Sequence, residues 1–462
     1  MSPADPPHRS GNSGSSGSSD PAPGGPDLPW YHGITPYMLL VLLIASLGWI
    51  FDVFEGQIFV ASMREAMPAL LPEGTDPGEV RFYNNVALGA FLLGGALGGV
   101  LFGALSDRIG RTRTMIITIL VYSLFTCVTA FAQTWWQMAV LRFLVAMGVG
   151  GEWAVASTLV AEVFPNRSRA HVGAIFHGSS VFGTFLAVLA GTFVVGNTEV
   201  FGEHSWRWGF ALGAVPALLT LWVRWKIREP EQWLAARARS REDRSQQTGR
   251  ISDLFLARHL RNTVVGVGLA TVGLATFWGV HIYGKNLALE SAQALSGESD
   301  LKNAEMLGML LTTAGGGLGL FLFGPICNRV GRRGAFLLYH LGGLVAALLL
   351  FQNHEHLSLR AIYCCLPVFG FLTLGMHAGY AVYFPELYPT RLRGTGAGFC
   401  FNFGRLLAAP ILLVSGWMQR PPADGGLGLS LEDSASYLSG LFLVGVVLLI
   451  FARETRGREL PE

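Results

Sequence analysis

Long apolar segments alternate with short polar segments along most of this chain. Twelve windows of 18 to 26 residues are largely apolar. At 1.5 Å per residue, about 20 helical residues cross about 30 Å of hydrocarbon. The pattern therefore predicts twelve membrane-spanning helices, at 37–62, 83–105, 113–132, 136–161, 170–195, 207–226, 263–284, 305–326, 335–352, 359–383, 395–418 and 435–452.

Composition agrees with a chain that lies in a lipid bilayer. Only 14% of the residues are charged and 51% are apolar, whereas soluble proteins have about 25% charged residues. The formal net charge is +2 and no long basic tract is present, so nucleic acid is not expected as a partner. Lys and Arg concentrate in the even-numbered loops, which predicts that these loops and both termini are cytoplasmic.

The two halves of the chain repeat each other. Parallel six-helix repeats are typical of a transporter whose halves rock around a site at mid-depth. The repeated pairs are "GALSDRIGRTR" (103–113) with "GPICNRVGRRG" (324–334), "EVFPNRSRA" (162–170) with "ELYPTRLRG" (386–394), and "REPEQWL" (228–234) with "RETRGREL" (453–460).

A polar, Arg-rich segment separates the sixth span from the seventh. We therefore predict an all-α integral membrane protein, with twelve transmembrane helices in two pseudo-symmetric six-helix bundles, 36–227 and 263–453. Residues 228–262 are expected to form a cytoplasmic linker. The Ser/Gly/Pro-rich segment 1–35 is expected to be a disordered cytoplasmic tail, and 454–462 a short cytoplasmic C-terminal tail.

Three motifs resemble those of one transporter family. The loop 103–113 resembles the signature of the major facilitator superfamily, at the position that the family gives it, after span two. "RFLVAMGVGGEW" (142–153) resembles the Arg-then-Gly-Gly-Glu pattern of its metabolite:proton symporter branches, which carry organic acids, sialate and lactate-type anions. "FDVFEGQ" (51–57) is similar to the Asp-Gly-Phe-Asp element of aromatic-acid and sialate carriers, with Val53 and Glu55 as replacements. The resemblance implies the major facilitator fold and transport by alternating access.

The resemblance also implies a cytoplasmic gate that closes when the carrier faces outward. Glycines allow a tight loop, and Asp107 can accept hydrogen bonds from a helix N-terminus. Asn328 replaces this acid in the second copy, which predicts a weaker latch there. The gate residues carried over are Gly103, Asp107, Arg108, Gly110, Arg111, Glu162, Arg169, Asn328, Arg332, Glu386 and Arg393.

Two acids in span one lie deep in an apolar segment, where an ionised group needs a partner or a watery cavity. Asp52 and Glu55 are roughly 15 and 10 Å inside the outer interface, and Arg142 is roughly 9 Å inside it. The two acids share a helix face, and the resemblance implies that spans one and four both line the central cavity of the N-terminal half, so we expect Arg142 to pair with the acids. Two carboxylates that compete for one cation leave one able to carry the coupled proton. The alternative is a static salt bridge between spans one and four.

Arg405 is the other unusual charge. It lies roughly 15 Å from the inner face, too deep for its head group to reach water easily. A guanidinium presents a fork of donors that suits a carboxylate. We expect Arg405 to anchor the substrate anion, with Asn402 on the same helix face. The alternative is a structural pair between helices.

Five further candidates are less constrained by the sequence. Glu152 is either a second proton site or a neutral acid bonded to a neighbouring helix. His281, Tyr283 and His377 are possible substrate contacts, although a lone helix histidine is more often structural. Arg142 is also a candidate for substrate binding.

The sequence thus predicts a secondary active transporter that couples protons to a small organic anion, a carboxylate. A proton-coupled sugar or zwitterion carrier and a non-transporting membrane sensor are the alternatives. An enzyme is not expected, because no nucleophile–base pair, metal cluster or cofactor loop is present. We expect no cofactor; the expected partners are the substrate, the proton and the lipid bilayer. The expected location is a bacterial inner (plasma) membrane, as a monomer.

Overall fold

The computed structural model describes residues 28–284, 287 and 298–462. Its regular structure is helical, and no β-strand occurs within these residues. The predicted disordered tail lies outside them except for its last residues, 28–35. The helices are α1 Pro36–Ala66, α2 Pro77–Ile109, α3 Arg111–Thr129, α4 Trp135–Val163, α5 Asn166–Val195, α6 Val215–Lys226, α7 Glu231–Glu242, α8 Ala257–Gly284, α9 Met306–Gln352, α10 Leu359–Glu386, α11 Thr390–Gln419 and α12 Leu431–Phe451.

Ten described helices are long and apolar enough to cross a membrane, against the twelve predicted spans. Two of the predicted spans join in α9, which bends where Gly331 adopts a φ of 83°. The sixth span is divided into Ser205–Ala211, a 3₁₀ turn at Leu212–Ala214, and α6. Each piece is short, but the 22 residues from 205 to 226 extend about 33 Å in helical rise. The helices therefore supply twelve crossings.

Helix α4 is the central helix of the N-terminal half, which comprises α1–α6. In its most apolar window 83% of the residues are buried, against 44% in α1. Glycines bring α2 against it: a Cβ placed on Gly98 would lie 2.0 Å from the Met147 carbonyl oxygen. Large apolar side chains such as Leu413 and Trp225 project outward, where they suit a lipid environment.

The N-terminal half meets the C-terminal half, α8–α12, along two related contacts. Helix α2 packs against α11, and α5 packs against α9. The first contact requires glycine, because a Cβ on Gly99 would lie 1.9 Å from the Asn402 amide nitrogen. Near the 103–113 loop, a Cβ on Gly103 would lie 2.6 Å from the Gly394 carbonyl oxygen. The halves are therefore tightly closed at this end, which we call the arginine-rich end.

The segment between the halves packs on the arginine-rich end. The Gly249 amide donates to the Arg391 carbonyl over 2.9 Å, and Arg108 donates to the Gly249 carbonyl over 3.0 Å. The Trp233 indole of α7 donates to the Asp107 carbonyl over 2.9 Å. The segment therefore contacts both halves.

Candidate functional site

Asp107 joins the two halves at the arginine-rich end. Its carboxylate accepts the backbone amides of Gly394 and Thr395 over 3.1 and 2.8 Å, and the Thr395 hydroxyl over 2.6 Å. These amides lie near the start of α11, where unpaired N–H groups favour an anion. The predicted bond to a helix N-terminus is present, and the helix belongs to the opposite half.

A buried ion network reinforces this contact. Glu162 lies 2.8 Å from Arg111 and 2.7 Å from Arg393, and Arg111 lies 2.7 Å from Asp107. All four side chains have no exposed surface. Two acids balance two guanidinium groups, so the network is electrically neutral. We call Asp107, Arg111, Glu162 and Arg393 the inter-half latch.

Arg169, which we expected in one network with Glu162, makes other hydrogen bonds in this structure. Its guanidinium donates to the Ala161 carbonyl over 3.2 Å and to Asn166 over 3.5 Å. No ion pair between Arg169 and Glu162 is present in the described structure. Helix α5 begins at Asn166, and its first turn directs Arg169 toward the end of α4. Arg393, the counterpart of Arg169 in the repeat, takes the position beside Glu162.

The second copy of the loop also bridges the halves, through an uncharged group. Asn328 lies 2.9 Å from His171 and 3.4 Å from the Arg167 carbonyl, both on α5. Arg332 pairs with Glu386 over 2.7 Å, but both residues belong to the C-terminal half. The charge-free bridge agrees with the expectation of a weaker latch in this copy.

Two acids of the third repeated pair were not singled out from the sequence. Glu229 accepts the backbone amide of Arg111 over 2.7 Å, at the N-terminus of α3. Glu454 accepts the amides of Arg332 and Arg333 over 2.9 and 3.1 Å. Burial opposes ionisation of Glu454, but these backbone donors prevail and lower its pKa. The Arg-Glu dipeptide that occurs in both copies, at 228–229 and 453–454, could have identified these two acids from the sequence.

Replacing Glu454 with alanine should lower stability by about 1 kcal/mol, the usual effect of losing a side chain that caps helix N–H groups. A carboxyl whose pKa is lowered by folding stabilises above its unfolded pKa, and this contribution is lost as pH falls through the folded pKa. Thermal unfolding of purified protein should therefore separate variant from wild type at neutral pH and bring them together in acid. Glu462→Ala, at an exposed position, is the control. Equal melting temperatures at neutral pH would contradict the capping role.

Arg142 and Glu55 form the predicted pair between α4 and α1. Both terminal guanidinium nitrogens lie 3.2 Å from one Glu55 oxygen. The Phe59 and Phe210 rings lie 5.4 and 4.9 Å from the guanidinium carbon. The Arg142 side chain has no exposed surface and is enclosed by the N-terminal half. Arg142 is therefore the partner of Glu55, and in this conformation it is not accessible to a substrate.

Asp52 is not part of that pair. Both of its carboxylate oxygens are buried, and neither has a hydrogen-bond partner in the part of the chain that the structure describes. Three residues along a helix rotate the side chain by about 60° relative to Glu55, which turns it away from Arg142. Its electrostatic neighbours are Glu152, Glu55 and Arg405. Asp52 is thus a buried acid without a direct counter-ion among the described residues.

Glu152 connects three helices of the N-terminal half. The Thr118 hydroxyl of α3 donates to Oε2 over 2.6 Å. A Cβ placed on Gly48 of α1 would lie 2.7 Å from Oε1, and this oxygen has no hydrogen-bond partner within the described ranges. The expected bond to a neighbouring helix is present, while one oxygen remains available for a proton.

Arg405 reaches from the C-terminal half toward the N-terminal half. Its guanidinium lies 5.1 Å from the Phe401 ring centre, and Nη1 would lie 3.0 Å from a Cβ on Gly95 of α2. Neither a hydrogen bond nor an ion pair of this guanidinium occurs among the described residues, and its nearest charge partner is Asp52. Arg405 is therefore a cation available for an anionic ligand.

Asn402 does not share this availability. Its side-chain amide donates to the Gly150 carbonyl over 3.3 Å and to the Gly398 carbonyl over 3.1 Å. The close approach of α2, α4 and α11 encloses it completely. The expectation that Asn402 contacts substrate beside Arg405 is therefore not met in this conformation, where it holds the halves together.

An aromatic contact between the halves lies next to Arg405 and was missed from the sequence. Trp153 of α4 stacks on Phe401 of α11, with ring centres 3.9 Å apart and an interplanar angle of 20°. The Trp153 indole donates to His177 over 3.1 Å. The sequence offered one signal for this contact, which is proximity to charged candidates. Phe401 precedes Arg405 by one helical turn, and Trp153 directly follows Glu152.

The remaining candidates lie in the C-terminal half. His281 contacts the Thr373 hydroxyl over 2.7 Å and stacks on Phe277. Tyr283 is hydrogen-bonded to Ser415 and Gln419. These contacts are structural in this conformation. His377 donates from Nδ1 to the Leu374 carbonyl over 2.9 Å, while its buried Nε2 has no partner among the described residues.

Two apolar helical halves that meet face to face, with Asp52 in one and Arg405 in the other lacking a hydrogen-bond or ion-pair partner among the described residues, have the architecture of a membrane transport protein. The profile of the Major Facilitator Superfamily matches residues 33–412, and the chain belongs to this family. It is therefore a transporter and not an enzyme.

Curated relatives and solved structures agree with this assignment. The chain is 28% identical over 93% of both chains to a Cupriavidus pinatubonensis protein described as "Probable 4-methylmuconolactone transporter". It is 30% identical to the cis,cis-muconate transport protein of Acinetobacter baylyi, over 79% of this chain and 84% of the relative. The proton:xylose symporter XylE shares the fold, with a TM-score of 0.74 and 17% identity over 92% of this chain and 98% of that one.

Proposed function

We propose that the protein is a proton-coupled symporter of a small organic anion, a carboxylate. The proposal rests on two groups of opposite charge, one in each half, that lack a partner among the described residues. Asp52 is a buried acid with no hydrogen-bond partner among the described residues, and Arg405 is a cation with no ion pair there. A substrate carboxylate would neutralise Arg405, and a proton would neutralise Asp52. Both ligands would then remove the cost of burying a lone charge.

The proposed cycle has two bundles, 36–227 and 263–453, that rock around this site. The closed arginine-rich end supports an outward-facing or occluded state, in which the inter-half latch is the cytoplasmic gate. The Lys and Arg bias of the loops supports a cytoplasmic location for this end and for both termini. A monomer in a bacterial inner membrane would suffice for this cycle, because both halves lie in one chain.

The relatives support an organic acid as the substrate class. One of them is named for transport of cis,cis-muconate, which is a carboxylate. A sugar or zwitterion carrier is the second candidate, because the xylose symporter has the same fold. At 17% identity that likeness concerns the fold alone. A sensor would bind its ligand without moving it.

Proteoliposomes test the proposal directly. A thermal-shift panel of cis,cis-muconate, benzoate, xylose and glycine betaine selects a ligand, since binding stabilises the folded state. Labelled ligand is then followed in counterflow and in accumulation driven by a pH gradient. Asp52→Asn should abolish accumulation and retain counterflow, because a neutral amide cannot carry the proton. Glu55→Gln, measured separately, reports whether the Arg142 pair takes part.

Three outcomes would each contradict one part of the proposal. A panel dominated by xylose or glycine betaine would overturn the anion assignment. Binding without counterflow would identify a sensor. Undiminished pH-driven accumulation in both variants, with normal thermal unfolding, would show that neither acid couples the proton.

A further inference from the structure

Helix α3 presents hydroxyl groups to both charged sites of α4. Thr118 donates to Glu152 over 2.6 Å, and Thr129 accepts from Arg142 over 3.3 Å. These two contacts are eleven residues apart on α3 and ten residues apart on α4, as expected for neighbouring antiparallel helices of equal rise. Tyr122 follows Thr118 by four residues, so it lies on the same face of α3. It is therefore placed between the Glu152 site and the Arg142 site.

Along helix α1, residues contact the Glu152 site and the Arg142 site in the same order. Gly48 packs against the Glu152 carboxyl, and Glu55 pairs with Arg142. Asp52 lies between them, one turn after Gly48. Asp52 on α1 and Tyr122 on α3 therefore each lie one helical turn from the residue that contacts Glu152, on the side toward Arg142. Both helices pack beside α4.

The hydroxyl of Tyr122 has no structural use in the described chain. The side chain is fully buried, and its oxygen lacks a hydrogen-bond partner there. Helices α3 and α4 approach closely at this residue: a Cβ on Gly148 would lie 2.8 Å from the Tyr122 backbone nitrogen. A hydroxyl left unpaired in an apolar interior is unfavourable, so a function is a better account of it than stability.

Three carboxyls on α1 and α4 are the charged neighbours of this hydroxyl. The carboxyls of Asp52, Glu152 and Glu55 all interact with it electrostatically. Arg142 faces Glu55, and Arg405 faces Asp52 from the opposite half. The Tyr122 hydroxyl can both donate and accept a hydrogen bond. In this conformation none of the Tyr122, Asp52 and Glu152 Oε1 oxygens is hydrogen-bonded to another, so the hydroxyl would connect the two carboxyls when a small approach of α1, α3 and α4 or a bridging water closes the gaps.

We propose that Tyr122 transfers the coupled proton between Asp52 and Glu152, an inference that rests on the proposed function above. Asp52 enters the step protonated and Glu152 ionised. The Asp52 O–H bond breaks as the Tyr122 oxygen accepts that proton, and the phenolic O–H breaks as its proton passes to Oε1 of Glu152. Asp52 ends ionised, Glu152 ends neutral, and Tyr122 is restored. Asp52 is then free to attract Arg405 while the proton is held inside the N-terminal half.

Tyr122→Phe tests this step, because it removes the hydroxyl and retains the ring. Labelled cis,cis-muconate is the probe in counterflow, which needs no net proton movement, and in accumulation driven by a pH gradient. The variant should keep counterflow near the wild-type rate. The initial rate of accumulation should fall by about a hundredfold or more, the lower end of what a positioned proton-transfer group contributes.

Tyr339→Phe is the matched control, since Tyr339 is equally buried in the C-terminal half and donates to the Gly319 carbonyl over 2.9 Å. Thermal unfolding reports the integrity of both variants. Unchanged accumulation in folded Tyr122→Phe would overturn the relay and leave the symport proposal intact. Equal losses of counterflow and accumulation would show a packing role and also overturn it. A wild-type protein that exchanges cis,cis-muconate in counterflow but accumulates none under a pH gradient would overturn both proposals.

Discussion

Glu162→Gln should open the arginine-rich end of the protein. Glu162 supplies the negative charge that Arg111 and Arg393 share, and all three side chains have no exposed surface. Breaking a buried ion pair by removing one partner costs about 3–5 kcal/mol. Separation of the halves would let water reach both guanidinium groups and recover much of this energy. Because each 1.4 kcal/mol is a tenfold change, the ratio of open to closed molecules should rise by about a hundredfold or more.

Alkylation of an engineered cysteine measures this opening. Ser106→Cys places a thiol at the buried contact between α2 and α11, in a chain whose five native cysteines are replaced by alanine. Glu386→Gln is the matched control, because Glu386 is also buried and pairs with Arg332 inside one half. The control should lower the melting temperature without faster alkylation. Equal alkylation rates in Glu162→Gln and its parent would show that the latch does not hold this end closed.

Arg405→Lys should weaken binding of a carboxylate substrate by about tenfold to a hundredfold. The lysine keeps the charge but loses the planar fork that binds both carboxylate oxygens. A hydrogen bond to a charged group contributes about 1.5–3 kcal/mol, and each 1.4 kcal/mol corresponds to a tenfold change in Kd. The apparent affinity for cis,cis-muconate is measured by concentration-dependent thermal stabilisation.

The same helix offers a control for that substitution. Arg420 lies exposed at the end of α11, so Arg420→Lys should leave the affinity unchanged. An Arg405→Lys variant with wild-type affinity would assign Arg405 to contact between the halves, and the anion anchor would have to be sought elsewhere.

Charge was the signal by which most of the site could be predicted. An ionised group in an apolar segment is costly, so Glu55 and Arg142 stood out, and helical rise alone placed them at one depth. The repeat similarly indicated where Asp107 and Arg393 lie in the two halves. Depth and position follow from the length of a helix and the cost of charge, whereas the adjacency of spans one and four came from the family resemblance.

Uncharged groups and packing distances gave no comparable signal. Tyr122 is one aromatic residue among many in an apolar helix, and only the α3–α4 register shows which carboxyls it faces. Asn402 looked available beside Arg405, yet the closeness of α2 and α11 encloses it. The break before α6 escaped prediction because hydropathy continues through it. Such features depend on how helices approach one another, which a single chain pattern does not specify.

The segment that follows the N-terminal half binds the closed arginine-rich end as a ligand that belongs to the same chain. Gly249 is bound on one side by Arg108 and on the other by Arg391, so one short peptide occupies both halves at once. Attachment through α7 gives it an effective concentration in the millimolar range or above. In the proposed cycle, each opening of the arginine-rich end would be a dissociation of this segment from one half. Each closing would be a rebinding that needs no diffusion from solution.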